Sequence, residues 1–297
     1  MTDASALAAR APVGSTSSDP AQLPLVSVVL PCYCESVAIL RRSLESVLAQ
    51  TYTNIEVILV VDDPSDEVKV ALLKDWAAAD DRIRVIMNPR NLGPWGSYNR
   101  GVREAKGALI AIQDSDDVSA PTRIEDLTRF LLGHPDIGVV GSALAYVDDA
   151  SGLLLFERTY PADAAGAIRR YSPLAHPTTL RWAHLFVDHG DYDESPAYRH
   201  AADYELWCRW LADGVRMANV PAIYYRYYQS RSNFKAQNVK AILRDTVRIK
   251  WRYARRLHFG FGDYLFLALE AVATALPDRA IVAAFYTMNR RRSTRLR

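Results

Sequence analysis

Apolar runs alternate along the first third of the chain with segments in which apolar residues recur every three or four positions. The runs are rich in Val, Ile and Leu and end at polar or Pro residues, which is typical of strands inside a sheet. They occupy positions 25–31, 55–61 and 108–112. Between the first two runs, Leu40, Leu44 and Val47 share one helical face. The pattern therefore predicts a strand, a helix and a second strand in this order.

The same alternation continues between the second and third runs. Periodicity predicts a helix over 68–79, a short strand over 82–87 and a helix over 98–105. Strands that alternate with helices favour an α/β fold with a mostly parallel central sheet flanked by helices, in which ligands bind beyond the carboxyl ends of the strands. Polar clusters follow three of the strands, at 31–35, 62–65 and 113–117. We expect the ligand site to contain all three clusters.

The third cluster, Gln113-Asp114-Ser115-Asp116-Asp117, places three carboxylates directly after a buried strand. Carboxylates this close repel one another unless a cation offsets their charge. Oxygen ligands favour Mg²⁺ or Mn²⁺, and either ion is commonly held by one or two protein carboxylates together with substrate phosphates. The cluster therefore indicates a metal-bound nucleotide diphosphate beside Asp114 and Asp116. A solvated acidic turn is the alternative that the residues alone leave open.

Composition narrows the class of protein. With 297 residues, of which 49% are hydrophobic and 24% charged, the chain has an ordinary globular profile that excludes dominant disorder. Three cysteines are too few for a disulfide framework and lack zinc-site spacing, which favours a reducing, cytoplasmic environment. The net charge of +2 hides a basic last segment. That segment contains no recognised nucleic-acid-binding motif, so we expect no nucleic acid partner.

Three regions follow from these patterns. Residues 1–24 lack periodicity and the apolar core of a secretion signal, and we expect a disordered leader there. Residues 25–231 are predicted to form the α/β domain, with a nucleotide-binding half at 25–118 and an acceptor half at 119–231. Residues 232–297 are predicted to form a basic and apolar helical C-terminal extension.

The C-terminal extension has a basic helical pattern at 238–256, followed by apolar stretches at 264–276 and 280–288. Both stretches are shorter than the roughly twenty apolar residues that span a bilayer. Two arrangements stay open. The extension is either a helical hairpin packed on the α/β domain, or a peripheral contact with anionic lipid on the inner face of the plasma membrane.

Several segments resemble, in order, the motifs of the family 2 glycosyltransferases, which are inverting enzymes with the GT-A fold. Residues 28–35 resemble the family's first strand and its Pro-x-Tyr-Asn-Glu turn, and residues 46–52 resemble its Ser-Val-Leu-x-Gln-Thr-Tyr helix end. Residues 60–65 resemble its Val-Asp-Asp-Gly-Ser turn, and Asn91-Leu92-Gly93 resembles the stretch that leads to its Asp-x-Asp motif. The resemblance extends over residues 25–231.

This resemblance implies an enzyme that transfers a sugar from a nucleotide-diphosphate donor to a glycan or lipid-linked acceptor. The product would be a bacterial-type surface polysaccharide, glycolipid or glycoprotein glycan of the cell envelope. By resemblance, Pro31, Tyr33, Glu35 and either Asp62 or Asp63 would surround the base and the ribose. Arg90, Asp114 and Ser115 are further predicted nucleotide contacts, and a solvated side chain is the alternative for Arg90. The sequence does not separate Asp62 from Asp63 as the carboxylate that reads the base.

The acidic motif receives its roles from the same resemblance. Asp116 would be the direct ligand of Mg²⁺ or Mn²⁺, and Asp114 would contact the ribose, or the ion through water. Asp117 would cap the turn that leads into the next helix. The ion would stabilise the negative charge that grows on the departing diphosphate.

Inversion by direct displacement needs a second carboxylate that takes the proton of the acceptor hydroxyl. Residues 201–209 resemble the family's Ala-Glu-Asp-Tyr-x-Leu-Trp-x-Arg segment, whose Asp is the base, and this predicts Asp203 as the catalytic base. Ala202 departs from the motif, because the family usually has Glu there. Glu205 is a rival base, and a helix cap is the structural alternative for Asp203.

Two further residues are predicted contacts of the diphosphate or the acceptor. His176 lies in a His-Pro-Thr-Thr segment that resembles one on the family's acceptor side. Arg226 lies in a Tyr-Arg segment that resembles the family's closing motif. A structural role is the alternative for both.

Two other functions are compatible with the residues. A phosphatase could use Asp114 as nucleophile and Asp116 as acid, but its motif normally opens the fold, whereas here a nucleotide-binding unit precedes it. A non-catalytic relative could bind sugar nucleotide or membrane as a partner subunit, and Ala202 is the one residue that favours it. The transferase is the prediction that the ordered motifs favour.

Overall fold

The computed structural model describes residues 23–229, 238–277 and 281. Most of the predicted leader at 1–24 and most of the predicted apolar stretch at 280–288 lie outside the described residues. Within the part of the chain that is described, nine strands form one mixed sheet, and helices pack against it.

The strands and helices have the following bounds. The strands are β1 Val26–Cys32, β2 Ile55–Val61, β3 Ile83–Met87, β4 Leu109–Ile112, β5 Val118–Ser119, β6 Val139–Asp148, β7 Leu154–Arg158, β8 Leu180–Trp182 and β9 Met217–Gln229. The helices are α1 Val37–Leu48, α2 Glu67–Ala79, α3 Gly93–Glu104, α4 Arg123–Gly133, α5 His184–His189, α6 Ala202–Ala212, α7 Val239–Tyr253 and α8 Phe261–Ala273. A short 3₁₀ turn spans His176–Thr178.

The sheet is parallel in its first half and mixed in its second. Its order is β3-β2-β1-β4-β8-β6-β9-β5, with β7 on the side of β6. The neighbours β3, β2, β1 and β4 all run parallel, as the alternation of strands and helices predicts. Strand β8 runs antiparallel to both β4 and β6. Because β2, β1 and β4 are adjacent and parallel, the polar clusters that follow them lie at one edge of the sheet.

Helix α3 begins at Gly93, earlier than the predicted start at position 98. The carboxylate of Asp62, at the end of β2, accepts hydrogen bonds from the backbone N–H groups of Leu92 at 2.7 Å and Gly93 at 2.9 Å. This carboxylate satisfies donors that the first turn of a helix leaves without partners. A local pattern could not predict this start, because the cap comes from a distant part of the chain.

The described part of the C-terminal extension packs on the α/β domain, which is one of the two predicted arrangements. Helix α7 packs against α6, and α8 packs against α7. Within residues 23–229, 238–277 and 281, no helix combines the length and the apolar character that crossing a bilayer requires.

Helix α3 lies directly on the central strands, and this contact yields a test of the fold. A Cβ atom on Gly101 would lie 2.3 Å from Cγ1 of Val29 and 3.1 Å from Cγ2 of Val60. We therefore expect Gly101→Ala to lower the free energy of unfolding by about 1–3 kcal/mol, because a full core has no room for another methyl group. Denaturant unfolding measures the change.

Gly133→Ala is the matched control, because a Cβ atom at this position in α4 would meet nothing within 4 Å. We expect it to raise the free energy of unfolding by up to about 1 kcal/mol through helix propensity. Equal effects of the two substitutions would contradict the close packing of α3.

Candidate functional site

The acidic motif forms the loop between β4 and β5, and the buried side chain of Gln113 shapes this loop from beneath. Its amide nitrogen donates to the carbonyl oxygens of Asp114 at 3.2 Å and Asp117 at 3.0 Å. Its amide oxygen accepts from Ser119 Oγ at 2.6 Å and from Arg123 at 3.0 Å. The loop therefore has a conformation set by buried contacts.

Arg123 is fully buried under the motif. Its guanidinium donates to the carbonyl oxygens of Ile112 at 2.6 Å and Pro177 at 2.8 Å, and so joins β4 to the 3₁₀ turn that carries His176. Desolvation lowers the pKa of Arg123 to about 10, which leaves the side chain charged at neutral pH. A buried positive charge thus lies beneath the carboxylates.

Asp114 and Asp116 differ in their surroundings. Asp114 is half-buried, accepts a hydrogen bond from the hydroxyl of Tyr98, and donates from its backbone N–H to Tyr225 Oη at 3.0 Å. Asp116 has a solvent-exposed surface. The surrounding protein nevertheless displaces water from its carboxylate. This desolvation, followed by repulsion from Asp114, raises the pKa of Asp116 to about 7.

The two carboxylates fit a Mg²⁺ or Mn²⁺ ion that a diphosphate helps to hold. Desolvation and, after it, repulsion from Asp114 disfavour the ionised form of Asp116, and a divalent cation would offset both. Within the described ranges, no group of three or more His, Cys, Asp or Glu side chains is arranged to hold a metal ion. The remaining ligands would therefore come from the substrate and water, as is common for Mg²⁺.

Asp117 is not the N-cap of the following helix, and its role as a cap of the intervening turn stays a prediction. The strand β5 follows the motif, and α4 begins at Arg123 with Thr122 as its N-cap. Asp117 is buried, and its Oδ1 accepts from the backbone N–H of Tyr228 at 2.8 Å. The carboxylate therefore holds the end of β9 against the motif, and β9 carries the exposed Arg226 opposite Val118 of β5.

Arg42 belongs to the surroundings of the motif, although the sequence did not indicate it. Its guanidinium donates to the carbonyl oxygen of Asp116 at 2.9 Å, lies 3.7 Å above the ring of Tyr228, and is 3.5 Å from the carboxylate of Asp149. Arg42 is part of α1 and matches no motif of the sequence. Only the packing of α1 beside the loop brings this cation to the site.

The structure separates Asp62 from Asp63. Asp62 is buried, and besides the N-terminus of α3 it binds the amide of Asn88 at 2.7 Å. Asp63 is partly exposed and accepts from Ser65 Oγ at 2.5 Å. Asp62 therefore holds the loop before α3, and Asp63 is the better candidate for a contact with the nucleotide.

The turn after β1 is exposed, and hydrogen bonds to its backbone hold its conformation. The side chain of Tyr33 is 46% exposed, its backbone N–H donates to the Glu35 carboxylate at 2.8 Å, and its carbonyl oxygen accepts from Lys69 Nζ at 2.6 Å. Pro31 is half-buried at the end of β1. These residues lie at the sheet edge where a nucleotide is predicted.

Two other predicted nucleotide contacts lie in different surroundings. Arg90 is exposed in the loop that Asp62 holds. Ser115 is buried between the two carboxylates of the motif. The structure therefore favours Arg90 over Ser115 for a side-chain contact.

Asp203 lies in the first turn of α6 and is half-buried. The N-cap of α6 is Ala201, which makes no side-chain capping bond, so Asp203 lies inside the helix and is not its N-cap residue. The negative charge of Asp203 acts on the buried side chains of Arg181 and Tyr192. The position also favours a carboxylate because the N-terminus of a helix stabilises negative charge.

Tyr192 connects the predicted base to the acidic motif. Burial raises the pKa of Tyr192 to about 12; Arg181 opposes this change, and the charges of Asp203 and Asp114 add to it. The Tyr192 ring packs 5.8 Å from that of Tyr98, whose hydroxyl donates to Asp114. The two carboxylates therefore border one cluster of aromatic side chains.

His176 lies inside this aromatic cluster. Its Nε2 is 2.8 Å from Tyr192 Oη, and its ring packs 4.9 Å from that of Tyr98. The side chain is buried. A direct contact of His176 with diphosphate or acceptor stays a prediction, and the contacts in the structure are those of a residue that positions Tyr98 and Tyr192.

Glu205 faces away from the acidic motif. It is 1% exposed, and its carboxylate accepts from Arg209 at 3.1 Å and from Tyr253 Oη of α7 at 2.5 Å. These contacts connect α6 to the C-terminal extension and argue against Glu205 as the base. Ala202 is fully buried, so the position that departs from the motif does not face solvent.

Comparisons with known proteins agree with this geometry. The sequence profile described as "Glycosyl transferase family 2" matches residues 27–197. The putative glycosyltransferase EpsE of Bacillus subtilis (strain 168) is 30% identical over 257 residues, which cover 86% of this chain and 90% of that protein. The succinoglycan biosynthesis protein ExoO of Rhizobium meliloti (strain 1021) is 31% identical over 70% of this chain and 61% of that protein.

A solved structure shares the fold. The crystal structure of S. aureus TarS 1-349 in complex with UDP superimposes with a TM-score of 0.59 and 20% identity, over 78% of this chain and 68% of that chain. At this identity the likeness concerns the fold.

The raised pKa of Asp116 predicts a pH dependence of cation binding. A divalent cation binds the ionised carboxylate, so below pH about 7 it must displace a proton, and its affinity should fall by about tenfold for each pH unit. Titration with Mn²⁺ at several pH values around neutrality, with nucleotide present, measures this dependence.

Asp116→Asn is the control, because it removes the titrating group. We expect weak Mn²⁺ binding with little pH dependence in the same range. An affinity of the natural protein that is constant on both sides of neutrality would contradict the assignment of Asp116.

The two neighbouring aspartates should respond differently to the same substitution. We expect Asp62→Asn to lower the free energy of unfolding by about 1–3 kcal/mol, because the loop before α3 loses acceptors for buried donors. Asp63→Asn should leave stability unchanged and weaken nucleotide binding. Thermal unfolding and nucleotide titration of both variants distinguish the two roles, and the reverse result would exchange them.

Proposed function

Because this chain belongs to glycosyltransferase family 2, we propose that it transfers a sugar from a nucleotide-diphosphate donor to a hydroxyl group of a glycan or lipid-linked acceptor, with inversion. One observation supports the proposal above all others. Asp114 accepts from the hydroxyl of Tyr98, whose ring packs 4.9 Å from that of His176. The same His176 ring lies 6.4 Å from that of Trp207, which is one helical turn after Asp203 in α6. These contacts support a site in which the metal-binding carboxylate and the candidate base flank one aromatic cluster, as direct displacement requires.

The donor nucleotide would lie along the carboxyl ends of β1, β2 and β4. Tyr33, Glu35 and Asp63 are at least partly accessible there and offer an aromatic face and acceptors for a base and a ribose. The diphosphate would lie beside Asp114 and Asp116, with the Arg42 and Arg226 cations near the loop. UDP is bound in the TarS structure of the same fold, so UDP is the first nucleotide to test.

The residues that would hold Mg²⁺ or Mn²⁺ are Asp116 and Asp114. When bound there, the ion supplies positive charge that stabilises the diphosphate as it departs. The protein contributes the shape of the loop. Gln113 and Arg123 hold its backbone from beneath, and Arg42 holds the carbonyl of Asp116 from the side.

Asp203 would accept the proton of the acceptor hydroxyl. The hydroxyl oxygen then attacks the anomeric carbon from the face opposite the diphosphate, and the bond from that carbon to the diphosphate breaks with its electron pair. The buried Arg181 near Asp203 stabilises negative charge on this carboxylate. His176 and Tyr192 would keep the cluster between base and donor in place.

The acceptor is proposed from the relatives. ExoO is described as a succinoglycan biosynthesis protein, and this supports polysaccharide biosynthesis for the cell envelope as the setting. We infer that the reaction takes place on the cytoplasmic side, where nucleotide sugars are available, with peripheral contact to the inner face of the plasma membrane. The family assignment argues against the phosphatase and the non-catalytic partner subunit.

Calorimetric titration with UDP, GDP and dTDP tests the proposal. We expect one nucleotide to bind with Mn²⁺ present and to lose affinity with chelator. Asp203→Asn should bind it normally while transfer to a lipid and glycan extract falls by about 10²–10⁴-fold. Asp116→Ala should lose both metal-dependent binding and transfer.

Two results would contradict this assignment. Unchanged turnover of Asp203→Asn would exclude Asp203 as the base. Absence of binding for all three nucleotides would remove support for the transferase. Phosphate release from a simple phosphate ester that depends on Asp114 would instead favour the phosphatase.

A further inference from the structure

Helix α8 presents its apolar side to solvent. Phe261, Leu265, Leu269 and Val272 follow one another at intervals of four, four and three positions, which places them on one helical face. Their exposed fractions are 87%, 54%, 61% and 69%. An apolar face that packs inside the protein would be buried. This face is exposed, so packing among the described residues does not account for it.

The charged residues of α8 point inward instead. Asp263 is 3.0 Å from the guanidinium of Arg170, and Glu270 is 2.6 Å from Nζ of Lys250, whose side chain is fully buried. Phe266 packs between them, with its ring 5.0 Å from the Lys250 ammonium. This polarity is the reverse of that of an ordinary surface helix, whose polar face meets water.

Helix α7 adds a cation and an aromatic side chain to this surface. Trp251 is 70% exposed, and its ring lies 6.4 Å from that of Tyr264 on α8. Arg244 is exposed and lies on the same side of α7 as Trp251, seven positions before it. We call this surface the C-terminal face: Arg244, Trp251, Phe261, Leu265, Leu269 and Val272.

We propose that the C-terminal face binds an anionic lipid bilayer, with its apolar residues at the boundary between headgroups and acyl chains. Leucines, Phe261 and Trp251 beside the exposed Arg244 are a composition that suits this boundary, because the arginine complements anionic headgroups. Of the described helices none is long and apolar enough to span the bilayer, so the contact is peripheral. This inference rests on the proposed function for its lipid-linked acceptor, and it adds which surface of the protein would contact the membrane.

The side of α7 about a quarter turn away from Arg244 and Trp251 holds the segment that leads to Asp203. Asp245 accepts from the backbone N–H of His200 at 3.0 Å, and Arg252 donates to Tyr198 Oη at 2.9 Å. One helix therefore contacts both the proposed bilayer and the base-bearing segment. Binding through this helix would place the acceptor side of the site at a defined orientation to the lipid surface.

Co-sedimentation of the full chain with lipid vesicles tests the proposal. We expect binding to vesicles of phosphatidylglycerol and phosphatidylcholine in equal amounts, and weaker binding to phosphatidylcholine alone or at high salt. Leu265→Ser combined with Leu269→Ser should lower partitioning into the vesicles by about tenfold or more, because two leucine side chains that the bilayer would bury are lost. Arg244→Gln should reduce binding to the anionic vesicles by about fivefold and leave binding to phosphatidylcholine unchanged.

Leu153→Ser combined with Leu154→Ser is the matched control, because these leucines are 67% and 58% exposed at the hairpin of β6 and β7. We expect vesicle binding of this variant to match that of the natural protein. An equal loss in both double variants, or no binding by the natural protein, would overturn the proposal. A dimer in lipid-free sedimentation that Leu265→Ser/Leu269→Ser dissociates would assign the face to a second copy of the chain instead.

Nucleotide titration of the same variants separates this proposal from the proposed function. The variants of the C-terminal face should bind nucleotide and Mn²⁺ as the natural protein does. Normal nucleotide binding without vesicle binding by the natural protein would overturn the membrane contact alone. Vesicle binding without nucleotide binding would overturn the transferase site alone.

Discussion

A buried guanidinium beneath the acidic loop is the interaction on which the site depends. Burying a charge is costly unless hydrogen bonds and opposite charge compensate for it. Arg123 obtains that compensation from the carbonyl oxygens of Ile112 and Pro177 and from Gln113, and each bond joins a different part of the site. The guanidinium that holds the backbone also places positive charge near Asp114, so these buried contacts set the shape of the acidic loop.

Helix α3 carries the second constraint, because it contacts residues of the sheet edge at β2 and β4 and also the segment around Tyr192. Its N-terminus binds Asp62 at the end of β2, and Tyr98 in its second turn binds Asp114. Asn99, the next residue, exchanges two hydrogen bonds of 2.9 Å with the backbone of Tyr192. A shift of this helix would therefore move the loop before α3, the acidic motif and the aromatic cluster around Tyr192 together. The tight contact of Gly101 with the sheet opposes such a shift.

The C-terminal extension packs on the segment that carries Asp203. The match to the family profile ends at residue 197. Helix α7 contacts the chain at this position, because Arg248 donates to the carbonyl oxygen of Ala197 at 2.7 Å. Tyr253 further along α7 binds the buried Glu205, in the same helix as Asp203. The extension is thus part of the support of the base-bearing segment, and its apolar outer face is consistent with a second role.

The sequence by itself determined the strands and helices of the nucleotide-binding half, the three polar clusters and the residues of the acidic motif. Hydrophobic periodicity records local burial, and that was enough to predict parallel strands with their polar ends at one edge. Only the tertiary structure decided that Asp62 caps α3, that Glu205 turns toward α7, and that Arg42 and Arg123 hold the loop. It also decided which side of α8 meets solvent. In each case the partner lies far along the chain, and a pattern of hydrophobic and polar positions shows that a side chain is buried or charged but not which distant residue it meets.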